Sequence, residues 1–154
     1  MEQALEQTIV LEDSREFKAL IVDDMPINRS LARIFLEKNN FEIMEAENGQ
    51  EALDHYNREK PDVVLMDICM PIMDGIEAMK RIRKLNKEEG VIPIIAFTSG
   101  EHDESQSELI KKGFSEYLLK PFKEKDLFDK LSKFIAFHDS PSNNNPAKGF
   151  ALID

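Results

Sequence analysis

Four short stretches of this chain carry side chains able to do chemistry. They are Asp23 and Asp24 in KALIVDD, Asp67 in VVLMDICMPIMDG, Thr98 in IPIIAFTSG and Lys120 in YLLKPF. Each of these polar groups follows directly on an apolar run. In a doubly wound parallel sheet, groups that act on ligands collect in the crevice at the carboxyl ends of the strands. If the first and third runs are neighbouring strands, three carboxylates meet there. Such a cluster repels itself and pushes a carboxyl toward its neutral form unless a cation sits among the charges. A hard ion that seeks oxygen, keeps some of its waters and shares a phosphate suits the set, which means Mg²⁺. Acids, Mg²⁺, a hydroxyl and an ammonium together make a place for a phosphoryl group. A carboxylate can itself attack phosphorus to form an aspartyl phosphate while metal and lysine neutralise the transferring oxygens. Asp67 takes the part of nucleophile, because it alone follows the central strand and has partners on both sides.

The elements that must position these groups are legible as periodicity. Apolar runs predict strands over Ala19 to Val22, Phe41 to Ala46, Val63 to Met66, Ile92 to Phe97 and Glu116 to Leu119. ALIV and VVLM show no polar alternation, as expected of parallel strands covered on both faces by helices. Between the strands, Ile27, Leu31, Ile34 and Phe35 stand at helical spacing and predict one apolar stripe, and Leu127, Leu131, Phe134 and Ile135 repeat it in a last helix. Further helices are expected over Gly49 to Tyr56, Ile76 to Leu85 and Glu104 to Lys112. Five β-then-α units result, an α/β domain over residues 17 to 137. Residues 1 to 16 form an acidic N-terminal extension. HDSPSNNNPAKG has the Ser, Asn and Pro content of a linker, so residues 138 to 154 are expected to be a linker or tail outside the core, although the closing FALID is apolar again.

Bulk properties exclude several function classes. At 154 residues the chain suits one domain. Thirty acidic against twenty basic residues, a net charge of -10, argue against direct binding to nucleic acid, which needs a basic stripe. No apolar run approaches the roughly 18 residues of a membrane span, and the start lacks a signal peptide pattern, so a cytoplasmic location is expected. One cysteine, Cys69, cannot form an internal disulfide, and His55, His102 and His138 lack metal-ligand spacing.

The acidic pair in IVDDMPIN, the acceptor in LMDICMPIMDG, the threonine in IIAFTSG and the YLLKPF segment, taken in that order, resemble the receiver domain of two-component response regulators. The resemblance extends over nearly all of residues 17 to 137. It implies a flavodoxin-like doubly wound fold, a five-stranded parallel sheet of order 2-1-3-4-5 with five helices; that order is carried over from the family. It further implies that Asp67 takes a phosphoryl group from a phosphohistidine on a sensor histidine kinase or a histidine phosphotransfer domain. Mg²⁺ would be bound by Asp24, Asp67 and the backbone carbonyl of Cys69, with Asp23 helping directly or through water. Lys120 and Thr98 would contact the phosphoryl oxygens, the Lys120-Pro121 peptide would be cis, and Tyr117 would change rotamer with Thr98. An output surface on the fourth helix, fifth strand and fifth helix would meet a protein target. DDMPINRSLA and ENGQEAL look somewhat more like receivers of hybrid sensor kinases than like stand-alone regulators.

Each signal has a plainer reading. Asp23-Asp24 can be a helix-capping pair, Thr98 a cap for the next helix, Lys120 a solvated lysine and Tyr117 a strand aromatic. Asn28 can cap the first helix or touch the acceptor loop. Gly75 is expected to permit an unusual backbone conformation. A phosphohydrolase with an Asp nucleophile, of the haloacid dehalogenase type, would carry a second Asp two residues on, where this chain has Cys69. An FMN carrier would need a Ser, Thr and Gly-rich cradle after the first strand, where DDMPIN stands. A phosphorylation-independent interaction module is expected to have lost part of the acidic, Thr and Lys set, which this chain keeps whole. Cys69 and Gly100, two residues beyond the acceptor and the threonine, would tune hydrolysis of the phosphorylated state.

Overall fold

In the computed structural model, which describes residues 17–85, 92–100, 104–137 and 150–152, strands and helices alternate along the chain. They are β1 (Phe17–Val22), α1 (Pro26–Glu37), β2 (Phe41–Ala46), α2 (Gly49–Glu59), β3 (Val63–Asp67), α3 (Gly75–Leu85), β4 (Ile94–Thr98), α4 (Gln106–Lys112), β5 (Glu116–Leu119) and α5 (Glu124–Leu131). The five strands form one parallel sheet in the order β2-β1-β3-β4-β5. This is the doubly wound, flavodoxin-like arrangement that the family resemblance implied. Among the described residues, no helix is long and apolar enough to cross a membrane.

Successive side chains of a strand point to opposite faces, and the unbroken runs in β1 and β3 feed two separate cores. Ala19, Ile21, Val63 and Leu65 face α1 and α5 with Leu36, Phe97, Leu127 and Leu131. Leu20, Val22, Val64 and Met66 face the other helices with Tyr56, Met79, Ile82 and Leu109. At about 1.5 to 3 kcal/mol for each fully buried large aliphatic, these two layers supply the driving force that fixes the sheet edge. Arg83 of α3 adds a polar tie. Its guanidinium donates to the carbonyl oxygens of Gly113 and Ile92 and to Ser115 Oγ, which joins α3 to the loop before β4 and to the α4-β5 turn.

Three details differ from the sequence expectations. In α1 the buried positions are Ala32 and Leu36; Leu31 and Phe35 pack beside them, but Ile27 and Ile34 are 72% and 54% exposed. The core-facing stripe is therefore centred on the 32/36 row, because small Ala32 lets the helix lie close to the sheet. In the last unit the helix stops at Leu131, not Ile135. Lys133 and Phe134 donate to the carbonyls of Lys130 and Leu131 in tightened turns, and Ile135 opens a short strand, β6 (Ile135–Phe137). Phe134 and Ile135 still pack on the same core as Leu127, so helical spacing predicted their burial correctly and their conformation wrongly. β6 pairs antiparallel with β7 (Phe150–Leu152), so the closing apolar segment joins a second, two-stranded sheet. The 1–16 extension and the 138–149 linker lie outside the described residues.

The third difference is Gly75. It does not adopt a left-handed backbone; the positive-φ glycines are Gly100 and Gly113. What excludes a side chain is proximity, since a Cβ there would sit 1.9 Å from the backbone oxygen of Asp67. The Gly75 amide also donates to Ile68 O at 2.9 Å, so α3 begins against the end of β3. Gly75→Ala is expected to destabilise the fold by about 3 kcal/mol, the upper end of overpacking costs, read as a lower urea midpoint with an unchanged m-value. A midpoint equal to wild type would show that the acceptor loop can move away from α3 freely.

Candidate functional site

The site follows from strand register. Ala19 lies opposite Val63 and Val22 opposite Met66, so one step further along both strands brings Asp23 beside Asp67. Asp67 itself pairs with Phe97, and Thr98 pairs with Leu119, which places Thr98 and Lys120 at the next steps of the same edge. One carboxylate oxygen each from Asp23, Asp24 and Asp67 lies within 4.8 Å of the others. Lys120 Nζ reaches into this group, 2.5 Å from Asp23 Oδ2 and 3.4 Å from Asp67 Oδ1, and its charge sits 4.6 Å above the Phe97 ring. All five residues singled out at the strand ends are thus gathered on one edge.

Their environments differ in ways that matter chemically. Asp23 is fully buried, with Met25 N–H donating to Oδ1 at 2.9 Å and Lys120 to Oδ2. The Asp23 amide donates to Ala46 O, and its carbonyl accepts from Arg29 Nη1 at 2.7 Å. Asp24 is exposed, with a carboxylate oxygen turned toward the other two acids. Asp67 is 6% exposed. Burial, and then the charge of Asp23, push its carboxyl up to about 6, with Asp24 adding to the rise and Lys120 pulling the other way. One ammonium stands against the three acids of the cluster, so negative charge is in excess there. That donor chemistry, oxygen atoms only and an excess of negative charge beside solvent, fits a hard divalent ion such as Mg²⁺.

The plainer readings of these residues can now be weighed against geometry. The N-cap of α1 is Met25 and no side chain caps that helix, so neither Asp23 nor Asp24 is its cap, and Asn28 sits inside the first turn. Helix α4 is capped by Ser105, whose Oγ accepts from Glu108 N at 3.2 Å while Glu108 accepts from Ser105 N. Thr98 is therefore not a helix cap. Its Oγ1 accepts from Gly100 N at 3.0 Å, which leaves its hydroxyl proton available. Lys120 is half-buried, and its ammonium is held between two carboxylates instead of being solvated alone. Tyr117 is half-buried, and Lys130 Nζ stands 4.4 Å over its ring. Cys69 is exposed, in the loop just beyond Asp67. The Lys120-Pro121 peptide is cis.

The sequence reading missed two groups. One is Arg29, which touches the Asp23 backbone and also donates from Nε to Glu45 Oε1 at 2.8 Å; nothing in its spacing marked it, since an arginine on a helix is ordinarily a solvated charge. The other is Ile72, in the acceptor loop, which is 83% exposed with φ 72 and lies at the centre of a turn closed by Met73 N donating to Pro71 O. A β-branched residue in the left-handed region is uncommon and has no sequence signature.

Comparison with known proteins places this geometry in a family. Residues 19–132 match the model of the response regulator receiver domain. The chain is 41% identical over 119 residues to the chemotaxis protein CheY of Halobacterium salinarum, covering 77% of this chain and 96% of that one. It is 35% identical over 141 residues to hybrid signal transduction histidine kinase I of Dictyostelium discoideum, covering 85% of this chain but only 8% of that protein's length. Among solved structures, it resembles the receiver domain of a sensor histidine kinase from Pseudomonas aeruginosa with a magnesium ion in its active-site cleft. That likeness has a TM-score of 0.68 at 28% identity and covers 77% of this chain and 97% of the other. The acidic edge, the strand order and these matches together mean that the chain belongs to the response regulator receiver domains of two-component signal transduction.

Proposed function

We propose that Asp67 is the phosphoacceptor of this receiver domain, taking its phosphoryl group from a phosphohistidine on a sensor histidine kinase or a histidine phosphotransfer domain. The carboxylate oxygen forms a bond to phosphorus as the P–N bond breaks, and the electron pair of that bond stays with the imidazole nitrogen. The observation that carries this reading is the meeting of three carboxylates within 4.8 Å, two of them bridged by Lys120. Asp23, Asp24, Asp67 and the backbone carbonyl of Cys69 would hold Mg²⁺, which when bound supplies positive charge against the phosphoryl oxygens. The magnesium-bearing relative from Pseudomonas aeruginosa supports that assignment. Lys120 orients the Asp67 carboxylate and, released from Asp23, reaches the incoming oxygens. Thr98 donates its hydroxyl proton to the same group while still accepting from Gly100.

This chemistry would be stoichiometric modification of the domain and its reversal, not turnover of an external substrate. Moving a two-state equilibrium from mostly inactive to mostly active takes about 5.5 kcal/mol. New hydrogen bonds from Thr98 and Lys120 to a charged group supply roughly 3 to 6 kcal/mol together. The switch is therefore adequate but narrow, with Tyr117 following Thr98 and the α4-β5-α5 surface presenting the result to a protein target. Residues 17–137 act as the receiver unit in the cytoplasm, flanked by the 1–16 extension and the 138–154 tail. The chain spans 8% of the length of the hybrid kinase it resembles and 96% of the CheY it resembles, so a longer sensor protein and a single-domain regulator both suit it. An Asp-dependent phosphohydrolase is disfavoured because Cys69 stands where a second carboxyl would protonate the leaving group.

Two measurements bear on this reading. Incubated with Mg²⁺ and acetyl phosphate, the protein is expected to gain the mass of one phosphoryl group, and Asp67→Ala to gain none; continuous phosphate release without an adduct would instead indicate a hydrolase. The second is stability against pH in a chelating buffer. Because the folded state raises the Asp67 carboxyl to about 6, the contribution of that group is fully present below its ordinary value near 4 and is lost as pH rises through 6. Asp67→Asn should therefore be more stable than wild type at pH 7.5, by on the order of 1 to 3 kcal/mol, with the difference vanishing toward pH 4. A difference independent of pH would contradict the assigned origin of the charge strain.

A further inference from the structure

The structure assigns Arg29 as the positioning residue of the acidic pair: by hydrogen-bonding the Asp23 carbonyl, it holds the chain at the point where β1 ends and the carboxylates turn toward the ion. The inference rests on the reading of Asp23, Asp24 and Asp67 as a metal site. The β1-β2 ladder stops at Val22 opposite Ala46, and the next peptide is where the acidic loop begins. Its amide is held by Ala46 O at 3.1 Å, and its carbonyl is taken by Arg29 Nη1 at 2.7 Å. Arg29 thus supplies the donor that a continuing strand would have offered.

The arginine is itself held in place. Nε donates to Glu45 Oε1 at 2.8 Å, Nη2 lies 3.9 Å from Glu47 Oε2, and the side chain is 12% exposed. Glu45 is steadied in turn by Arg33, whose Nε donates to its other oxygen at 2.6 Å. The result is a chain of contacts from β2, through one rigid planar fork, to the backbone of an acid in the site. Removing groups that orient metal ligands typically costs roughly 10- to 100-fold in metal affinity. A lysine would keep the charge but lacks a fork that can grip a carboxylate and a carbonyl at once. Arg33 provides an internal control, for it shares Glu45 and the same helix but makes no contact with Asp23.

The test uses the full chain and Mn²⁺, followed by electron paramagnetic resonance, in wild type, Arg29→Gln, Arg29→Lys and Arg33→Gln. Both Arg29 variants are expected to bind Mn²⁺ about tenfold more weakly, and Arg33→Gln within about twofold of wild type. In the metal-free proteins, the Met25 amide proton, which donates to Asp23 Oδ1, should shift in its NMR resonance in both Arg29 variants and stay put in Arg33→Gln. The metal-free readout still applies if a variant loses stability, since it is taken on the folded resonances. Wild-type affinity in Arg29→Lys would mean that charge alone suffices and would overturn the positioning role, as would equal losses in Arg33→Gln. If wild type binds no Mn²⁺, or binds it unchanged after Asp67→Ala, the metal reading fails and the Arg29 inference falls with it.

Discussion

The constraint on which this molecule turns is the repulsion among three carboxylates that the sheet forces together. Side by side at the ends of β1 and β3, Asp23 and Asp67 cannot separate without breaking the strand register, and the two aliphatic cores on either face keep that register. Lys120 relieves part of the strain from the far side of the edge, pairing with Asp23 more closely than with Asp67. Burial first, and then what remains of the repulsion from Asp23, raise the Asp67 carboxyl to about 6. A divalent cation is the chemical species that such an edge would accommodate best.

Rigidity elsewhere serves this edge. Gly75 lets α3 start against the backbone of Asp67, and Arg83 ties α3 to the loops leading into β4 and β5. Thr98 is fixed by the Gly100 amide, and Lys120 N donates to Thr98 O at 2.7 Å, so the two strand ends that deliver the hydroxyl and the ammonium are tied by a backbone hydrogen bond. By contrast, Tyr117 and Lys130 make a softer contact through the face of an aromatic ring.

How far the sequence could be followed depended on which interactions carried each feature. Asp23, Asp24, Asp67, Thr98 and Lys120 were legible because each ends an apolar run, and strand termini are set by local patterning. The α1 stripe was misplaced because Ile27 and Ile34 are as apolar as the residues that pack, and only the small volume of Ala32, seen against the sheet, decides the face. Phe134 and Ile135 kept helical spacing yet left the helix, since burial on the core constrains where a side chain ends up and not how the backbone gets there.

By itself, the sequence determined the fold class, the succession of five strands and helices, and the residue types available for chemistry, all of which follow from hydrophobic periodicity and turn chemistry within short windows. The tertiary structure decided which oxygens and nitrogens meet. Lys120 choosing Asp23, Arg29 taking a backbone carbonyl, Gly75 being needed for closeness and not for its φ, and Ile72 standing strained in the open are all outcomes of contacts or packing beyond those windows. No local pattern encodes such pairings, because each depends on a partner made available only once the sheet has assembled.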